Sequence, residues 1–240
     1  MPSDTPNNRP DDLGPNKKDV AVAVLRAVLG SVPVAGAVLS ELISNIIPNQ
    51  RMDRIERYLA GLGHRLEAAT SAEHLRTLLV DPTNIALVED GAYQAARALS
   101  PERIERITAC VVHGVLTDSV SSLLKRRVLW ALGELDDQHL AILRAYATPG
   151  FHAVDKLRPR PPISLGRPAT LEEQEAVGLW HSALGKLEQM ALLDFIPKLK
   201  PIDNKYPVPQ YDSRGKPEGS YRVTVFGVSL LVAAGLASER

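Results

Sequence analysis

Residues 51–66 read "RMDRIERYLAGLGHRL", and the placing of their apolar side chains decides the fold. Met52, Ile55, Leu59, Leu62 and Leu66 recur at steps of three and four, which makes one coiled-coil-like seam on a helix with Arg and Glu outside it. Gly61 and Gly63 weaken the helix. The seam needs an apolar partner, from this chain or from a second copy in a homo-oligomer.

The nearest apolar stretch is the one before it, "AVLGSVPVAGAVLSELISNIIP", Ala27 to Pro48, with no charge before Glu41. Val20, Val24 and Val28, then Val34, Val38, Leu42 and Ile46, fall on helical stripes separated where Gly30 and Pro33 end one helix and begin the next. A membrane span needs about 20 apolar residues. Here Pro33 between Gly30 and Gly36 would break one, and Glu41 inside hydrocarbon costs a few kcal/mol. The expectation is a buried hairpin whose small residues Ala35, Gly36 and Ala37 pack on the seam. The alternative is conditional insertion into a membrane, with Gly30, Pro33, Val34, Gly36, Val38 and Leu42 as the contact residues.

Further helices are announced by their caps. Ser71 precedes "AEHLRTLL", and Ser100 with Pro101 precedes "ERIERITACVVHGV". "TNIALVEDGAYQAARAL" and "SVSSLLKRRVLWALGEL" are also helical in pattern, and Asp137 is the expected cap of "QHLAILRAYA". "RIER" occurs at both 54–57 and 103–106, but the flanks differ, so no duplication is inferred. "HAVDKLRPRPPISLGRPA" changes composition and reads as a linker over 153–169. Thr170 and Glu173 then form a capping box for an acidic helix over 171–195. "DFIPKL" and "SYRVTV" are β-prone ends of a long hairpin, and "FGVSLLVAAGL" closes the chain as an apolar helix.

Composition limits what such a chain can do. With 45% hydrophobic residues in 240, it can bury a sizeable core, and 5% aromatics suits packed helices better than a β-sandwich. Its 28 basic and 28 acidic residues leave no global field for nucleic acid or anionic lipid. Cys110 has no disulfide partner, and residues 1–18 read as a polar disordered tail and not a signal peptide, so a cytoplasmic location is expected.

The segments "LDDQHLAILRAYA", "LGKLEQMALLDFI" and "YRVTVFGVSLLVAAG" resemble the winged-helix pattern of bacterial regulators over roughly the last hundred residues. In those, the helix before the wing enters the DNA major groove. Here that helix carries Glu172, Glu173, Glu175 and Glu188 against Lys186 alone, which phosphate would repel. Arg158, Arg160 and Arg167 in the linker and Lys198 and Lys200 in the wing are the candidate basic contacts, diluted by nearby Asp and Glu. The module therefore reads as one for protein contact, with nucleic acid disfavoured.

As a whole, "GSVPVAGAVLSELISNIIPNQRMDRIERYL" followed by helices and "YRVTVFGVSLL" resembles the abortive-infection alpha group of bacterial phage-defence proteins. That resemblance implies a helical, non-enzymatic phage-defence protein, and the reading of the C-terminal module as one for protein contact adds the expected protein partner.

His64, His74, His113, His139, His152 and His181 are not spaced as zinc ligands on one helix. Cys110 and His113 share a helix face, yet Val111, Val112 and Val115 around them point to a buried, inert thiol. No phosphate-binding loop, dinucleotide fingerprint or G-x-S-x-G elbow occurs, and the Asp and Glu pairs are adjacent, so they point apart on a helix. The expectation is a mainly α protein, a helical bundle over 19–152 followed by a winged-helix-like α+β module over 170–240 with one β-hairpin, the module recruiting helix 137–147. No cofactor, metal or enzymatic activity is expected. Three functions follow in order: phage defence through a protein partner, membrane-inserting effector, and DNA-binding regulator.

Overall fold

The seam of residues 51–66 is buried within this chain. The computed structural model describes residues 49–117, 121–150, 152–159, 168–200, 206–213 and 215–237. Helix α1 (Asn49–Ala69) runs unbroken through Gly61 and Gly63, and Met52, Ile55, Leu59, Leu62 and Leu66 are all buried. After the short α2 (Ala72–Leu78), α3 (Pro82–Arg97) and α4 (Pro101–Leu116) cover the seam. Its partners thus follow it in sequence. The hairpin expected to fill that place, with Gly30, Pro33, Val34, Gly36, Val38 and Leu42, lies outside the described residues.

Side-chain caps set the helix starts, each accepting a bond from an otherwise unpaired N–H of the first turn. Ser71, Asp81 and Ser100 cap α2, α3 and α4, the last two followed by proline at the first turn. Ser121 caps α5 (Ser122–Glu134). Helix α6 (Asp137–Ala147) is capped by Asp136, one residue before the expected Asp137, because His139 then falls at the third position and closes a reciprocal box.

The stretch expected as linker holds a helix, α7 (His152–Leu157), whose Val154 is buried. Thr170 and Glu173 box the start of α8, as their spacing requires, but α8 covers Leu171–Gln189 and stops six residues before Phe195. It stops in a Schellman turn: the Leu192 N–H donates to the Leu187 carbonyl and the Ala191 N–H to Glu188, with Ala191 left-handed at φ 58°.

The chain then continues as β1 (Leu193–Pro197), β2 (Leu199–Lys200), β3 (Val208–Pro209) and β4 (Gly219–Val223). β1 pairs antiparallel with β4, Phe195 opposite Tyr221, which is the expected hairpin. Its distal part is more elaborate than one hairpin. β2 pairs with β3, and Tyr211 bridges Pro217, because Lys198 donates to the Glu218 carbonyl while its own carbonyl accepts from Gln210.

Thr224 caps the closing helix α9 (Val225–Ala233) and donates its hydroxyl to the Ala191 carbonyl at 2.7 Å, fastening this helix to the end of α8. At Gly227 a Cβ would lie 2.4 Å from the Leu192 carbonyl, so only glycine lets α9 come this close. α9 packs on α4, α5 and α6, while α6 also supports α8 and β4. Buried side chains from Ile55 to Ala234 accordingly form one continuous cluster. Among the described residues no helix is long and apolar enough to cross a membrane.

Candidate binding groove

One large concavity opens where α6, α7, α8 and the β1–β4 hairpin meet. It is a groove of about 1490 Å³, lined along α8 by Gln174, Val177, Trp180, His181, Leu184 and Glu188. Those positions follow one another at helical steps, so a single flank of α8 forms a whole wall. The register of β1 with β4 places Phe195 and Tyr221 side by side on the opposite wall. Tyr146, at the end of α6, meets the Tyr221 ring edge-on at 6.0 Å, and Phe195 does so at 5.3 Å. Trp180 lies between these walls and the core, only 4% exposed.

Four of the chain's eleven aromatic side chains therefore line one surface. The Tyr221 hydroxyl donates to Glu188 Oε2 at 3.2 Å, linking the hairpin to α8. Partial burial and then the Glu188 carboxylate push the Tyr221 phenol above its ordinary range, so it stays a donor at neutral pH. The rim carries charges of both signs, with Asp155 and Glu188 against Arg158 and Lys216. An aromatic lining with a polar rim of mixed charge has the composition of a contact surface. The groove also exceeds the roughly 300–1,000 Å³ of a typical small-molecule pocket, and it is open along one side.

The residues singled out from sequence divide among three places. The seam Met52, Ile55, Leu59, Leu62 and Leu66 is core. Arg158 is exposed on the groove rim, while Lys198, ion-paired to Glu218 at 3.7 Å, and Lys200 lie on the distal hairpin away from the groove lining. Arg160 and Arg167 lie outside the described residues. The basic contacts expected as one set are thus not brought together among those described. Tyr146, Trp180, Phe195 and Tyr221 were not legible as a site. The available signal was the clustering of scarce aromatics in the last hundred residues.

Cys110, on α4, is buried, and burial pushes its thiol up to about 12, so it carries no thiolate at neutral pH. Among the described residues no three His, Cys, Asp or Glu side chains are grouped to hold a metal ion. A scan against protein-family models and searches of curated proteins and of solved structures find no match to this chain.

Proposed function

We propose that the protein works by binding a segment of a partner protein in the groove between α6, α7, α8 and the β1–β4 hairpin, without catalysis, and that it does so in bacterial phage defence of the abortive-infection kind. The observation that carries the binding reading is the groove itself, with Tyr146, Trp180, Phe195 and Tyr221 in its lining and charges of both signs on its rim. The defence setting rests on the sequence resemblance. The order helix, short helix, long helix, hairpin from α6 to β4 supports the winged-helix likeness. The exposed Glu172, Glu175 and Glu188 on α8 favour a protein partner over DNA.

The test places a photo-crosslinking amino acid at Ser220 or His181 in the groove, and at Glu67 on the outside of α1, in bacteria challenged with phage. A discrete crosslinked protein at the two groove positions and not at Glu67 is the expected result. Equal labelling at Glu67, or none in the groove, refutes the groove as the site. Plating efficiency judges the setting separately: a chain that leaves phage plaque counts unchanged is not a defence protein. A salt-dependent shift of duplex DNA would instead support the regulator reading.

A further inference from the structure

The first half of α8 buries no side chain, although it carries apolar ones. Trp180, Ala183, Leu184 and Leu187 fix the second half to the core, whereas Leu171 is 73% and Leu179 59% exposed. Glu175 lies one turn from each leucine, with Glu172 beside them and no cation before Lys186. This flank faces away from the one that lines the groove. It is an acidic strip with two apolar anchors.

A surface of the opposite character lies on α3 and α5. Arg126 Nε meets Asp90 Oδ2 at 2.9 Å and Gln94 Nε2 donates to the Leu129 carbonyl at 2.7 Å, so the two helices run parallel in register. That register sets Tyr93 and Trp130 at one level, 57% and 51% exposed, with Leu123 two turns behind. Arg127 stacks 5.6 Å from the Trp130 ring, and Arg97 and Arg126 are exposed beside it. The neighbouring carboxylates are subdued: Glu89 is half-buried, Asp90 is held by Arg126, and Glu134 is held by Lys186 at 3.6 Å. Tyr, Trp and Arg together are the composition of interface hot spots, and exposed apolar groups in this density mark a contact surface.

We propose that the chain associates head to tail with a second copy of itself, the Leu171/Leu179 flank of α8 in one copy seated on the Tyr93/Trp130 ridge of α3 and α5 in the next. Glu172 and Glu175 then oppose Arg97 and Arg127, while the leucines cover the two rings. The two surfaces differ, so the contact is heterologous, and each copy offers one of each. The groove stays open, because it uses the other flank of α8.

The test compares the full chain with two surface variants, Leu179→Arg/Glu175→Arg and Trp130→Glu/Arg127→Glu, by sedimentation velocity over a range of concentrations. Circular dichroism and thermal midpoint are checked first; Leu171→Arg/Glu172→Lys replaces the first variant if it does not fold. Wild type is expected to exceed its monomer mass of 26.1 kDa as concentration rises. Each variant alone should associate at least about tenfold more weakly. An equimolar mixture of the two should form dimers and stop there, since it retains one intact surface of each kind. With 5-fluorotryptophan, the Trp130 resonance should shift with concentration and Trp180 should not. A wild type that stays at 26.1 kDa, or a mixture that stays monomeric, overturns the proposal. The first result would leave the ridge to an acidic partner of another kind.

Discussion

Gly91→Ala is the most demanding test of how α1, α3 and α4 fit together. A Cβ on Gly91 would lie 2.4 Å from the Tyr58 hydroxyl oxygen, 2.7 Å from Val111 Cγ2 and 2.9 Å from Tyr58 Cζ, all inside van der Waals contact. Tyr58 cannot swing away cheaply, being fully buried with its hydroxyl donating to the Val88 carbonyl at 3.0 Å. In an open helix the change would stabilise by about 1 kcal/mol. Overpacking costs about 1–3 kcal/mol here, and displacing the phenol forfeits a hydrogen bond of about 1 kcal/mol. The net expectation is a loss of about 2 kcal/mol, read by urea unfolding followed by circular dichroism. Tyr58→Phe alone should cost about 1 kcal/mol. In that background the nearest clash is gone, so Gly91→Ala should be milder by about 1 kcal/mol, a favourable coupling in the double-mutant cycle. Strict additivity, or a Gly91→Ala protein more stable than wild type, would refute this account of the packing.

Four further outcomes are expected. Ala191→Gly should stabilise by about 0.5–1 kcal/mol, since Ala191 is left-handed at φ 58° in a Schellman turn whose counterpart at the end of α9 uses Gly235 at φ 69°; calorimetry checks it, as it checks the converse loss in Gly235→Ala. The Cys110 thiol keeps its proton to about 12 when folded and releases it near 9.0 when unfolded, so the folded state binds the extra proton between those values. Stability should fall as pH rises through that window, by up to about 1.4 kcal/mol per unit, and Cys110→Ala should flatten the slope between pH 9 and 10. Burial alone would raise the Asp136 carboxyl, but hydrogen bonds from His139 and Gln138 outweigh it and hold it low. Its cap on α6 should thus be lost in acid below its depressed pKa, and Asp136→Ala should cost about 1 kcal/mol at neutral pH, seen as faster amide exchange in the first turn of α6.

What was legible in the sequence was whatever local chemistry alone decides. Ser71, Ser100 and the Thr170/Glu173 box place helix starts because a cap acts within one turn. The seam from Met52 to Leu66 is core because its period leaves one continuous apolar stripe. Which elements cover it is another matter, because periodicity says that a face must be covered and not by what. α3 and α4 cover it through chain reversals of the kind α2 supplies. The pattern alone carries α8 on to Phe195, because "EQMALLDF" keeps a helical period. The break there is a left-handed alanine held by the Thr224 hydroxyl, from a residue 33 positions away. The groove was hidden for a related reason: Tyr146, Trp180, Phe195 and Tyr221 come from four elements, and only the β1–β4 register and the packing of α6 bring them together.

Helix α8 shows why that concealment was unavoidable. Its apolar residues lie almost all round the helix, a pattern that usually marks complete burial. Yet Leu171 and Leu179 stand in solvent while Trp180 and Leu187 are core. The two facts agree once the helix is divided into three flanks with different surroundings. Trp180, Ala183, Leu184 and Leu187 hold it to α6 and β1, and Gln174, Val177 and His181 wall the groove. Leu171, Glu175 and Leu179 form the third flank. A helix whose apolar residues are spread over three flanks lacks the single-stripe signature by which sequence announces a buried face. It is then on the two flanks not needed by the core, one aromatic-facing and one acidic with apolar anchors, that mutation can test the proposed binding and the proposed self-association separately.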